Sequence, residues 1–192
     1  MKKGLKWTLI VVLGLVVVAA IAFPILKANT KKNSPETTLI YKADDDSKLD
    51  IAIRYSQPSK KGRVVFGGLV PYGRVWRTGA NEATEFTTQT PLTIGGKTLA
   101  AGKYTLWTIP EKDNWTVIWN SKQYMWGIKG NDDQGEKASR EPEADVLQVQ
   151  VPVKMLSNSN EKFSISLQKD TSAQHIMSLT WDNVEVNVPI KK

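Results

Sequence analysis

From about residue 37 to the end of the chain, stretches with apolar side chains at every second position recur, with little sustained helical period. A period of two places successive side chains on opposite faces of a strand, so these stretches read as β-strands with one buried face each. Leu49, Ile51, Ile53 and Tyr55 alternate with Asp50, Ala52 and Arg54. Leu92-Thr93-Ile94 and Lys97-Thr98-Leu99 flank Gly95-Gly96, which can take the positive φ angles of a tight hairpin. Tyr104 to Ile109 and Trp115 to Trp119 are two further strands joined by the polar turn Pro110 to Asn114. Val146 to Val153 and Phe163 to Leu167 repeat the alternation. In the last pair, His175, Met177, Leu179 and Trp181 share one face, Asp182-Asn183 supplies a turn, and Val184, Val186, Val188 and Ile190 return. Roughly ten short strands at this spacing predict an all-β domain over 37–192, a two-sheet β-sandwich, with a closed β-barrel as the alternative.

The N-terminus follows a different rule. Trp7 to Leu26 carries no charge, and as a helix it spans roughly 30 Å, the hydrocarbon thickness of a bilayer. Residues 1–6 are the basic segment before it, and 27–36 read as a polar linker. The expectation is one transmembrane helix over 7–26 that anchors the domain in the periplasm or outside the cell. Ala20-Ile21-Ala22 offers a cleavage site for the alternative, secretion after removal of a signal sequence near Ala22. The apolar run continues past that site through Phe23, Ile25 and Leu26, which favours a retained signal anchor.

Charge and composition exclude several functions. The formal charge of +7 arises around the apolar run, where Lys2, Lys3, Lys6, Lys27, Lys31 and Lys32 lie without an acidic residue before Glu36. The remaining 20 basic and 19 acidic residues nearly cancel, so no nucleic-acid partner is expected. With no Cys and a single His, thiolate and multi-histidine metal sites fall away, and neither a metal nor a cofactor is expected. Gly67-Gly68 lacks the Lys-Ser/Thr ending of a phosphate loop, and Asp44-Asp45-Asp46 lacks the glycine and closing glutamate of a calcium loop and reads as a solvated turn entering the Leu49 strand. His175 lies in line with Met177, Leu179 and Trp181 and reads as a buried histidine at the edge of the core.

Two irregular segments interrupt the strands: the glycine-rich Gly62 to Gly79, and the polar insertion Ser121 to Glu143 with Tyr124, Met125 and Trp126. The run from Gly62 to Thr84 has Val70-Pro71-Tyr72-Gly73 and Trp76-Arg77-Thr78-Gly79-Ala80-Asn81-Glu82-Ala83-Thr84 at its centre. With Ala101 to Pro110, Trp115 to Asn120, Asp145-Val146-Leu147 and Leu179-Thr180-Trp181, it closely resembles the bacterial family called domain of unknown function 2911. The resemblance covers roughly residues 40 to 190. It implies a β-rich envelope protein typical of Bacteroidetes-like bacteria, and it brings no established activity and no catalytic residues.

The residues themselves offer two readings of the motif. In one, Arg77 clamps an anionic group, Asn81 and Glu82 hydrogen-bond a ligand, and Tyr72 or Trp76 stacks on it, with Trp126 and Tyr124 as exposed aromatics of the insertion. In the other, Arg77 pairs with Glu82 or Glu85 to hold the loop, while Asn81 takes a left-handed turn conformation. Most of Trp107, Trp115 and Trp119 are expected in the core. The leading expectation is a non-enzymatic envelope module that binds a glycan, a peptide or a partner protein. A hydrolase of envelope polymers using Glu82 as acid or base is the alternative, with Asp145 or Asp182 as a second carboxylate, and a purely structural role is the third.

Overall fold

The computed structural model describes the backbone of residues 2–133 and 135–192, with side chains at 2–6, 9, 23, 25–27 and 29 outside the described set. It divides into a helical unit ending at Asn33 and a β unit, Ser34–Lys192.

Helix α1 runs Lys2–Asn33. Much of the segment expected as a linker is therefore helical. Pro35 disfavours helical backbone at the residue before it, and the helix stops accordingly. Among the described residues no helix is long and apolar enough to cross a membrane. The span expected over 7–26 lies in part outside the described side chains.

The β unit is built on β1 (Glu36–Lys42), β2 (Asp50–Ser56), β3 (Thr84–Thr88), β4 (Leu92–Ile94), β5 (Lys97–Leu99), β6 (Gly102–Pro110) and β7 (Asn114–Asn120). A small hairpin of β8 (Ile128–Asp132) and β9 (Gly135–Ala138) follows, then β10 (Asp145–Lys169) and β11 (His175–Lys191). The main sheet has the order β1-β2-β3-β6-β7-β10-β11-β4-β5, and its pairings are antiparallel. It does not close, so the fold is sandwich-like and the barrel alternative is set aside.

The long strands β10 and β11 are not straight. Ser178 Oγ donates to Asn187 Oδ1 at 2.6 Å, although the two residues are nine apart in sequence. A straight strand would separate them by roughly 30 Å. Thr180 Oγ1 reaches Glu185 as well, and Asp182 between them has φ 52°. β11 therefore reverses at Asp182-Asn183 into two arms. The switch of the apolar set from odd to even positions marks that reversal in the sequence. β10 pairs Met155 with Val184, Asn160 with Asp182 and Ser164 with Thr180. Its register slips on either side of Asn160 are where it arches around the tip of β11. The first arm of β10 then pairs with β7, in register Val149 with Val117.

One core unites the inward faces: Ile51, Ile53, Phe86, Leu106, Val117 and Trp119 meet Phe163, Ile165, Met177, Leu179, Val186 and Val188. The outward faces of β6 and β7 carry a second, small cluster of Trp107 and Ile118 with Ala83, covered in part by Tyr124 and Ala138 of the insertion. Both faces of β6 and β7 are thus buried, which a two-layer pattern alone does not anticipate.

Candidate functional site

The glycine-rich motif folds as a packed platform. Trp76 is 7% exposed and stacks on Trp181 at 5.9 Å with rings 20° apart; Phe163, Trp115 and Phe66 meet it edge-on. Its indole N–H donates to the Gly79 carbonyl at 2.9 Å. The stacking surface expected of Trp76 is therefore occupied by the core. Thr78 and Asn81 hold φ of 54° and 61°, the left-handed conformation foreseen for Asn81. The buried amide of Asn81 donates to the Ser34 carbonyl at 3.3 Å and reaches Ser56 Oγ at 3.5 Å. At Gly79, φ is 151° and a Cβ would stand 2.9 Å from the Ser56 carbonyl oxygen, so only glycine fits.

Arg77 and the insertion form one seam. The Arg77 guanidinium bonds Glu136 of β9 at 2.6 Å, whereas Glu85, foreseen as one of its partners, is held by Arg54 at 2.5 Å and Lys103 at 2.9 Å. Arg74 grips both carboxylate oxygens of Asp132 at 2.7 and 2.8 Å. Gly127 donates its N–H to the Asn81 carbonyl at 3.0 Å, and a Cβ there would lie 2.2 Å from Arg77 Cδ. The two irregular segments are thus neighbours, but what joins them is a packed interface. Tyr124, expected as an exposed aromatic, packs edge-on to Trp107 at 5.3 Å and accepts the Glu141 N–H at 2.9 Å. Trp126 is half-buried.

The carboxylates foreseen for hydrolysis are committed elsewhere. Asp145 sits in an ion pair with Arg140 at 2.5 Å, with side chains 6% and 10% exposed, and it also accepts from Asn120 and Gln148 at 2.8 Å each. Asp182 accepts from Lys60 at 2.6 Å and Ser159 at 2.7 Å. Burial pushes its pKa up, but those two bonds prevail and hold it below the ordinary value. The shifts found on carboxyl groups among the described residues, at Asp45, Glu85, Asp170, Asp182 and Glu185, are all downward. A general acid needs the opposite. Glu82 is half-buried and lines none of the three clefts described below.

Tyr72 occupies a different place from the rest of its motif. It is 37% exposed and lines two clefts at one end of the sandwich, of about 400 and about 280 Å³. Gly67, with φ 82°, lies against the ring, where a Cβ would fall 2.7 Å from its Cε2. Gly73, with φ 71°, donates to the Pro110 carbonyl at 3.0 Å and fixes the motif to the β6–β7 turn. That turn brings Glu111, Lys112, Asp113 and Asn114 to Tyr72. The sequence marked the turn as polar but held no sign that it would meet the motif.

A third cleft, of about 510 Å³, opens at the opposite end of the β11 arms beside His175. The histidine is 5% exposed, as foreseen. Its Nδ1 lies 2.7 Å from the Tyr41 hydroxyl, and its Nε2 lies 3.1 Å from Ser47 Oγ and 3.2 Å from Asp45. Asp45 accepts the Ser47 N–H at 3.0 Å and pairs with Lys169 at 2.6 Å. The Lys169 and Ser47 bonds hold the Asp45 carboxyl far below its ordinary pKa. Asp45 and Ser47 read in sequence as a solvated turn; the fold delivers them to a histidine well over a hundred residues away.

Neither a curated protein nor a solved structure matches the chain. A family model described as protein of unknown function (DUF2911) matches residues 34–190, which is nearly the whole β unit. The chain therefore belongs to the DUF2911 family.

Proposed function

We propose that the β unit is a non-enzymatic ligand-binding module of the bacterial envelope. Residues 7–26 anchor it in the membrane, and it recognises a glycan at the end of the sandwich marked by Tyr72. The observation that carries the reading is the half-open Tyr72 ring, which lines two clefts amid Glu111, Asp113, Asn114 and Gln150. An aromatic face beside planar amide and carboxylate groups suits a sugar, whose C–H face stacks while its hydroxyls exchange hydrogen bonds. Of the expected ligand-binding residues, Tyr72 alone stays with this reading. Trp76, Arg77 and Asn81 support the platform beneath. A hydrolysed polymer gains no similar support, since the shift found on a carboxyl at these clefts, that of Asp182, is downward.

The test is calorimetric titration of the full chain in lipid nanodiscs with a panel of soluble oligosaccharides and peptides. Binding of a glycan that weakens at least tenfold in Tyr72→Ala is expected. Glycan binding of equal strength in the variant, or binding by peptides alone, would contradict the reading.

A further inference from the structure

The two clefts beside Tyr72 share three lining residues, Tyr72, Glu111 and Lys112, and so lie side by side across them. Their remaining walls are chemically unlike. The compartment of about 400 Å³ is bounded by Asp113, Asn114, Thr116 and Gln150. A carboxylate, two amides and a hydroxyl supply donors and acceptors together, as a polyhydroxy ligand requires. The compartment of about 280 Å³ is bounded largely by Val64, Phe66, Trp115, Val153 and Met155. Val64 is 70% and Met155 62% exposed, so this apolar strip meets water when the cleft is empty. Methionine is the side chain best able to shape itself to an irregular apolar guest. The Asp182 carboxylate at this compartment is already paired with Lys60, so it sets no demand for a cationic ligand.

A bare sugar would leave the apolar compartment wet, and a bare acyl chain would leave the polar wall unmatched. We propose that the two clefts act as one groove, which takes a glycoside bearing a short apolar aglycone. The sugar lies against the Asn114–Gln150 wall, and the alkyl or acyl part crosses Tyr72 to cover Val64 and Met155. This inference rests on the glycan-binding reading above and adds the ligand's second half.

Methionine methyl resonances give a direct readout, because the chain has four methionines and three of them sit in contrasting places. Met155 lines the groove, Met125 is 94% exposed on the insertion, and Met177 is in the core. The full chain, methyl-labelled at methionine and held in nanodiscs, is titrated with methyl, butyl and hexyl glucoside, with empty nanodiscs as the blank. Expected are a shift of the Met155 methyl that grows with the alkyl chain, an unmoved Met125, and affinity rising by roughly fourfold per fully buried methylene. Met155→Gln should retain methyl glucoside binding and lose most of the chain-length gain. Affinity independent of chain length, a gain unchanged in Met155→Gln, or Met125 moving in step with Met155 would overturn the inference while leaving sugar binding intact. Failure of all three glucosides and of the glycan panel would overturn the binding reading itself.

Discussion

The two ends of the sandwich handle polar groups in opposite ways. At the His175 end, both imidazole nitrogens, the Tyr41 and Ser47 hydroxyls, Asp45 and Lys169 are bound to one another. Such a network locks the β1–β2 turn to the start of β11, and its groups are matched from within the protein. At the Tyr72 end an aromatic ring, an apolar strip and a row of amides and carboxylates border open clefts. A cleft is therefore weak evidence of function by itself. The cleft of about 510 Å³ at the His175 end is larger than either one beside Tyr72, yet the buried groups around it are already partnered. What separates the ends is whether the chemistry at the surface is already answered.

Substitutions can sharpen that contrast. Trp76→Ala should be the most severe: it removes a buried indole behind the floor of the Tyr72 groove, where Phe66 and Trp115 pack on it, and a loss of about 3–5 kcal/mol is expected by chemical denaturation. His175→Ala should cost about 2–3 kcal/mol, since the Tyr41 hydroxyl and the Ser47–Asp45 pair each lose a partner, while glycan binding is unchanged.

The folded pKa of Asp45 is depressed, so its contribution is present above the unfolded value of about 4 and is lost as pH falls through the folded value. Asp45→Asn should flatten the acid limb of a stability-versus-pH curve and leave the neutral limb's shape intact. Gly67→Ala should act at the other end, displacing the Tyr72 ring and weakening ligand binding with a modest stability loss from its positive φ.

The sequence conveyed the strands well because a single buried face imposes the period of two. The reversal at Asp182-Asn183 was legible from the shift of the apolar set between Trp181 and Val184, and the Gly95-Gly96 hairpin was legible from its glycines. The double-sided burial of β6 and β7 was not, because the segment that covers Trp107 and Ile118 reads as polar and contributes little more than Tyr124 and Ala138. The candidate site divided for a similar reason. Tyr72 and Trp76 are two aromatics four residues apart in one loop, and nothing local distinguishes them. Trp76 turns inward because Trp181, Phe163 and Trp115 arrive from distant strands to enclose it. Tyr72 stays outward because the β6–β7 turn reaches it with charged and amide side chains.

In the proposed function the Tyr72 end meets the ligand and the platform beneath it only supports. This division of roles is tested most directly by measuring glycan affinity and melting temperature on one preparation of Tyr72→Ala. Tyr72 is 37% exposed and packs on Gly67, so its truncation should cost on the order of 1–2 kcal/mol, well short of the loss in Trp76→Ala. The expected result is a melting temperature that falls far less than in Trp76→Ala, together with at least a tenfold loss of affinity. A melting temperature that falls as far as in Trp76→Ala, or an affinity that does not change, would contradict it.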